Sequence, residues 1–299
     1  GLFEPLGVKV VDGTILVTCR DRITRLHDLN DDGEADFYES FLADDDVSRG
    51  YHAFNLDLQS DSKGFLYYGK PGHNTDYPIP GAVIRVDPEA RSAERICTGF
   101  RVPNGICIGP DDGMYVSDNQ GNWMPAGKIS KVRPGGFYGY ARRLQVIPET
   151  FEQPMIWFPQ EFDNSCGSQV FAMDPRFGPL AGKMIHTSYG RGWIYWVCEH
   201  EVDGVAQAAA SRFPFQCASG VMRIRQGPHD GAVYATGLKG WDTFVKKDGC
   251  FDRIRPTGEP SCHMVDWKVE RDAIVIEYSQ PLDDKTAERQ LRVSKRESE

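Results

Sequence analysis

Apolar and polar residues alternate along this chain in short runs, and the runs recur behind turns that carry glycine. Asp12-Gly13-Thr14-Ile15-Leu16-Val17, Lys63-Gly64-Phe65-Leu66-Tyr67-Tyr68, Asp112-Gly113-Met114-Tyr115-Val116, Arg191-Gly192-Trp193-Ile194-Tyr195-Trp196 and Asp230-Gly231-Ala232-Val233-Tyr234-Ala235 share one form. In each, a polar turn is followed by a run of β-branched, aliphatic or aromatic residues, which is a strand signal. Gly13, Gly64, Gly113, Gly192 and Gly231 are 51, 49, 79 and 39 residues apart, and the longest interval has room for an irregular copy. Another apolar run precedes the clearer copies, as at 53–58 and 105–108, and a further one follows many, as at 82–87 and 128–132. Four-stranded units recurring every 40 to 50 residues or so predict an all-β fold, a β-propeller. Five or six blades fit before residue 260. A two-sheet sandwich is the rival, and tandem units of this length do not favour it.

Beyond the turn at 256–260 the pattern changes. Residues 273–278 read as one strand, 281–284 as a turn, and 285–299 as a charged end, so 1–260 is expected to be the propeller and 261–299 the start of a small C-terminal β-domain. Glycine (31) and proline (19) are plentiful and no long helical pattern stands out, in keeping with an all-β class. A formal net charge of -9 argues against nucleic acid or an anionic membrane surface as the partner. No apolar run reaches the length that spans a bilayer. Because the chain starts at Gly1 and enters Val8-Lys9-Val10-Val11 almost at once, it is expected to be processed or cut from something longer. None of the eight cysteines forms a C-x-x-C pair, which sets aside zinc ribbons and thioredoxin-like motifs and leaves disulfides open.

One acidic stretch carries a metal signature. A hard cation with oxygen ligands needs carboxylates or amides at loop positions 1, 3 and 5, glycine at 6, and further oxygens at 7, 9 and 12. Counted from Asp28, those places hold Asp28, Asn30, Asp32, Gly33, Glu34, Asp36 and Glu39. The flanking residues, 15–19 and 23–26, are strand-like rather than helical. A calcium loop that braces two strands is therefore expected, with Asp36 closing the sphere more surely than Glu39. The bland alternative is a solvated acidic turn.

Propellers place their chemistry on loops that enter the innermost strands. Two segments stand there: Gly50-Tyr51-His52-Ala53-Phe54 and Gly99-Phe100-Arg101-Val102-Pro103-Asn104-Gly105. The stretch 99–121, followed by Lys128-Ile129-Ser130-Lys131-Val132 and Gly135-Gly136-Phe137-Tyr138-Gly139-Tyr140, resembles the soluble quinoprotein glucose and sorbosone dehydrogenases. More of the chain, through 202–207, 219–223 and 248–254, resembles the large membrane-bound dehydrogenase-type proteins of planctomycetes and verrucomicrobia, which often carry a haem-binding domain.

That resemblance implies a six-bladed propeller followed by the beginning of an Ig-like segment at 265–293. It implies oxidation of a sugar by pyrroloquinoline quinone, with His52 as general base and Arg101 against the quinone. Asn104 and His73, the latter in the loop 69–74, are the further candidate cofactor contacts. Histidine suits proton abstraction near neutrality, and a guanidinium can polarise a cofactor carbonyl. Val102 departs from the family pattern, which has a polar residue there, and the second half of the chain has no match to the remaining quinone contacts. No haem-attachment motif is present, so a cytochrome or haem domain elsewhere would accept the electrons. Two other readings stay open: a non-catalytic binding or scaffolding module, and a metal-dependent lyase or hydrolase using His52 and His73. Glu199-His200-Glu201 is a weak metal candidate, since strand alternation sends the two carboxylates to the face opposite His200. Calcium and the resemblance together place the chain in the periplasm or at the cell surface.

Overall fold

Where the pattern alternates, the chain folds back on itself. In the computed structural model, which describes residues 1–79, 81–240, 243–283 and 285, β1 (Gly7–Val11), β2 (Thr14–Thr18), β3 (Arg22–His27) and β4 (Phe37–Ala43) form one antiparallel meander. A second contains β5 (Leu56–Ser60), β6 (Leu66–Lys70), β7 (Ala82–Asp87) and β8 (Ser92–Thr98). The third is β9 (Pro103–Ile108), β10 (Met114–Asp118), β11 (Gly127–Val132) and β12 (Ile156–Phe158), and the fourth β13 (Cys166–Phe171), β14 (Met184–Ser188), β15 (Trp193–Val202) and β16 (Val205–Gln216). A fifth sheet has three strands, β17 (Gly220–Gln226), β18 (Val233–Leu238) and β19 (Gly249–Ile254). The first strands of successive sheets, β1, β5, β9, β13 and β17, pack side by side in that order. They form the inner wall of a propeller.

There are five blades, not the six expected. The second strand of blade four follows Gly182, while Gly192 opens its third, so the turn glycines Gly13, Gly64, Gly113, Gly182 and Gly231 are 51, 49, 69 and 49 residues apart. The long interval therefore hides no blade. It holds residues 133–155, an excursion between β11 and β12 that runs back over blade two, where Phe137 bridges Thr98. Of the expected C-terminal segment the described residues show a hairpin of β20 (Met264–Val269) and β21 (Ile274–Tyr278) after blade five, which does not show an Ig-like domain, and 286–299 lie outside them. This hairpin leans on blade four, with Trp267 Nε1 donating to Cys198 O at 3.0 Å. Among the described residues no helix is long and apolar enough to cross a membrane.

Apolar side chains of one sheet meet those of the next, giving four clusters at the four seams between consecutive blades. Leu16, Phe41, Leu58 and Tyr68 fill the first, and Ile194, Trp196, Val221 and Ile224 the last. Between blade five and blade one the seam is an open groove, lined mostly by apolar side chains and crossed by an arginine. Arg223 Nη2 reaches Leu6 O at 3.3 Å across a groove of about 480 Å³ lined by Val8, Met222 and Leu238.

Asp57, wholly buried on β5, ties the inner wall together: it accepts from Ile106 N on β9 at 3.0 Å and pairs with Arg225 on β17. Its own carbonyl accepts from Thr18 Oγ1 at 3.0 Å. Inner strands approach so closely that a Cβ on Gly105 would overlap the backbone of Ser168 and Gly167. Gly105→Ala is therefore expected to cost about 1–3 kcal/mol by overpacking, read as a lower midpoint in denaturant with an unchanged slope.

Candidate active site at the channel mouth

The mouth is assembled from loops that lead into the inner strands β5 and β9 and from the loop between β6 and β7. Hydrogen bonds from backbone amides lock these loops together. Gly72 N and His73 N donate to Arg101 O at 2.8 and 3.0 Å, and Ser48 Oγ accepts from Gly50 N at 2.9 Å and Asp76 N at 3.0 Å. Arg101 N and Val102 N in turn donate to the carboxylate of Asp118, at 2.9 and 2.6 Å. Asp118 closes β10, is fully buried, and sits 4.0 Å from the equally buried Lys128. Burial pushes the Asp118 carboxyl up and the Lys128 ammonium down to about 8, each being the other's main compensation.

Onto this frame the chain brings three of the residues singled out in the sequence. The rings of His52 and His73 lie 4.9 Å apart, and Tyr51 meets His52 edge-on at 4.7 Å. Asn74 Nδ2 donates to His52 Nδ1 at 3.3 Å, while Asn74 Oδ1 accepts from Arg142 Nη1 at 3.3 Å, which fixes the way the amide faces. An amide nitrogen can only donate, so the neutral His52 ring carries its proton on Nε2. Burial and then Arg101 lower the His52 pKa. Burial, Arg101, His52 and Arg142 take His73 down to about 4. Both imidazoles are therefore neutral at neutral pH. Arg101 Nε and His73 Nδ1 are buried without a hydrogen-bond partner. The result is a positive, under-satisfied cluster of side chains on a negatively charged chain, suited to an anion or an electron-rich carbonyl.

Asn104 does not join them. It lies deeper, where Nδ2 donates to Cys166 O at 2.7 Å and Oδ1 accepts from Arg223 Nη1 at 3.1 Å, so both ends of its amide link blades three, four and five. The cluster at 199–201 does not converge either. Glu199 bonds Tyr115 and Lys131, and His200 bonds Asp266. Tyr195 and Trp196 are core residues.

The acidic loop joins β3 to β4, a strand-loop-strand setting. Asp28, Asn30 and Asp32 turn their oxygens onto backbone amides of the loop, and Asp36 Oδ2 accepts from Leu29 N at 2.7 Å. Glu39 has moved onto β4, where His27, Arg25 and Arg91 take its carboxylate. Asp28, Asn30, Asp32, Glu34 and Asp36 are left as an oxygen-only set that fits calcium chemistry. If an ion is held there, Asp28→Ala lowers the melting temperature by clearly more in calcium than in chelator, where only its hydrogen bonds to loop amides are lost. A plain acidic turn would give the same small shift in both.

Asp118, Lys128, Asn74 and Arg142 were not singled out in the sequence. Only Asp118 left a trace, as an acid ending the apolar run 114–118.

Fold and mouth together define the class: an all-β propeller with a polar, cationic site at the channel entrance. The family model described as the SMP-30/Gluconolactonase/LRE-like region matches residues 4–131, which is under half of the chain. Among solved structures, a glucose dehydrogenase superposes with a TM-score of 0.63 at 16% identity, covering 85% of this chain and 84% of that one. The soluble aldose sugar dehydrogenase of Escherichia coli, in its apo form, gives 0.57 at 15% identity over 83% and 76% of the two chains. A luciferin-regenerating enzyme gives 0.54 at 13% over 85% and 77%. At these identities the likeness is one of fold. Among curated proteins none matches this chain.

Proposed function

We propose that this chain is a propeller oxidoreductase that takes a sugar or related alcohol at the mouth formed by His52, His73 and Arg101, with pyrroloquinoline quinone as cofactor. The observation that supports it most is the juxtaposition of neutral imidazoles with a guanidinium whose Nε is buried and unpartnered. Arg101, Arg142 and His73 present the donors that quinone carbonyls and carboxylates require, so the residues fit the group. When bound, the quinone supplies an electron-poor carbonyl that accepts a hydride equivalent from the alcohol carbon.

The protein's own part is to bind, orient and deprotonate. His52 would take the hydroxyl proton at Nδ1 once the substrate displaces the 3.3 Å contact from Asn74. Asp118, by holding the Arg101 and Val102 amides, sets where the guanidinium stands. Tyr51 and Trp123 offer exposed rings on mouth loops, on which a sugar face can stack. Calcium at the 28–36 loop, a haem-bearing electron acceptor and a periplasmic or cell-surface setting belong to the same proposal.

A second reading, lactone hydrolysis, is favoured by one observation: the family match over 4–131 contains His52, His73 and Arg101. Parallel assays separate the two. Reduction of a dye by aldoses that depends on added quinone supports the first, and quinone-independent opening of a sugar lactone supports the second.

A further inference from the structure

We infer that blade four holds a zinc-type divalent cation between Asp163, Cys166 and His186. Among the described residues these three are the one group of His, Cys, Asp or Glu side chains whose ligand atoms converge, all within 4.8 Å of one another. Each is fully buried. Asp163 lies in a turn closed by Pro159 O, Cys166 opens β13, and His186 sits on β14 opposite Gln169. His186 Nε2 is 2.9 Å from Asp163 Oδ2, and Cys166 Sγ is 3.4 Å from the same oxygen. A tetrahedral zinc with ordinary bond lengths would set those pairs roughly 3.3 and 3.6 Å apart. These two pairs need to open by only a few tenths of an ångström, and the third, His186 to Cys166, lies within 4.8 Å and would have to settle at roughly 3.6 Å.

Charge argues the same way. Asp163 is an interior carboxylate with no Lys or Arg in ion-pair contact among the described residues; its one such partner is the His186 ring, which compensates the charge only when protonated, and its Oδ1 has no hydrogen-bond partner. Such a group is costly unless it is paired or bound to a metal. One dication with one carboxylate, one thiolate and one neutral imidazole is a neutral unit. Sulfur and imidazole nitrogen select zinc or a neighbouring transition metal over calcium or magnesium. Oδ1 of Asp163 or a solvent molecule can fill the fourth position.

The surroundings are those of a held ligand set. Lys128 N–H donates to the Cys166 sulfur, and the Phe158 ring stacks on His186 at 5.1 Å and 2°. His186 Nδ1 has no hydrogen-bond partner, so no neighbouring acceptor orients the ring from its far side. The ion would lie behind the mouth and brace the seam where Asn104 Nδ2 meets Cys166 O. Loading replaces the Cys166 S–H proton by a metal–sulfur bond and releases that proton to solvent. With one proton lost per ion, affinity weakens about tenfold per unit fall in pH below the thiol pKa.

The test is full-chain protein made with zinc, and the same protein refolded with cobalt(II). One zinc per chain is expected, together with the intense ligand-field and thiolate-to-cobalt charge-transfer bands of a tetrahedral site. Cys166→Ser should lose the charge-transfer band, whereas Cys250→Ser/Cys262→Ser, which removes the two cysteines that are not buried, should keep it. Wild-type protein that takes up neither ion overturns the inference, as does a charge-transfer band that survives Cys166→Ser. Should Cys166→Ser fail to fold, the wild-type cobalt spectrum decides: no charge-transfer band overturns the site, and such a band with one proton released per ion upholds it.

Discussion

Replacing His52 by alanine is expected to lower the turnover of an oxidisable sugar by about 10²–10⁴-fold, the usual contribution of a positioned general base, with a much smaller change in KM. The ring is neutral because burial and Arg101 oppose its protonation, so its lone pair is available at neutral pH. Its neighbours are Tyr51, His73 and Asn74, all outside the apolar seams between blades, so the variant should melt close to wild type. Steady-state kinetics with quinone and dye, beside a thermal melt, check both halves. The pH profile adds a readout that loss of packing would not give. The acid limb of kcat/KM should fall below the free imidazole value of about 6.5, and Arg101→Gln, which removes the cation, should move it upward. A His52→Ala enzyme with wild-type turnover would take the base role away from this residue.

Asp57→Asn should destabilise the fold by about 3–5 kcal/mol, since breaking a buried ion pair leaves uncompensated charge behind. Asp57 is wholly buried, and the substitution keeps its shape while leaving Arg223 and Arg225 without their anion. Burial alone would push its carboxyl up, but Arg225, Arg223 and the amides of Ile106 and Leu58 together hold it below the ordinary range. The sign of the pH effect follows. A carboxyl depressed in the folded state contributes stability that is fully present above the unfolded value near pH 4 and is lost as pH falls through the folded value. The deficit of Asp57→Asn should therefore be largest near neutrality and shrink below about pH 4. Denaturant unfolding at several pH values measures it. A deficit under about 1 kcal/mol at pH 7 would show that other contacts close the ring.

The propeller was legible because each blade repeats a turn glycine and a buried strand at a near-constant interval. Its blade count was not, because one turn carries its glycine at Gly192, a strand later than the copy at Gly182, and because residues 133–155 stretch one blade. Local pattern cannot tell an inserted excursion from a missing repeat. His52, His73 and Arg101, which the fold brings near one another, stood out because they sit just outside strands, where polar residues interrupt an apolar run. Asp118, Lys128 and Asn74 act through contacts made only after folding, and their positions look like ordinary strand ends and loops. Cys166 and His186 illustrate the same limit, as they lie 20 residues apart and meet only across the β13–β14 pairing. Asn104 shows the converse: a residue well placed in the sequence whose amide the fold uses to join three blades.

The central claim is that the cationic mouth receives the quinone, and an absorbance titration of the full chain with pyrroloquinoline quinone tests it most directly. Wild-type protein should bind saturably with one cofactor per chain, and Arg101→Ala should bind about 10–100-fold more weakly, the loss expected for a charged hydrogen-bond donor. Absence of saturable binding by the wild type, or equal affinity in Arg101→Ala, would contradict it.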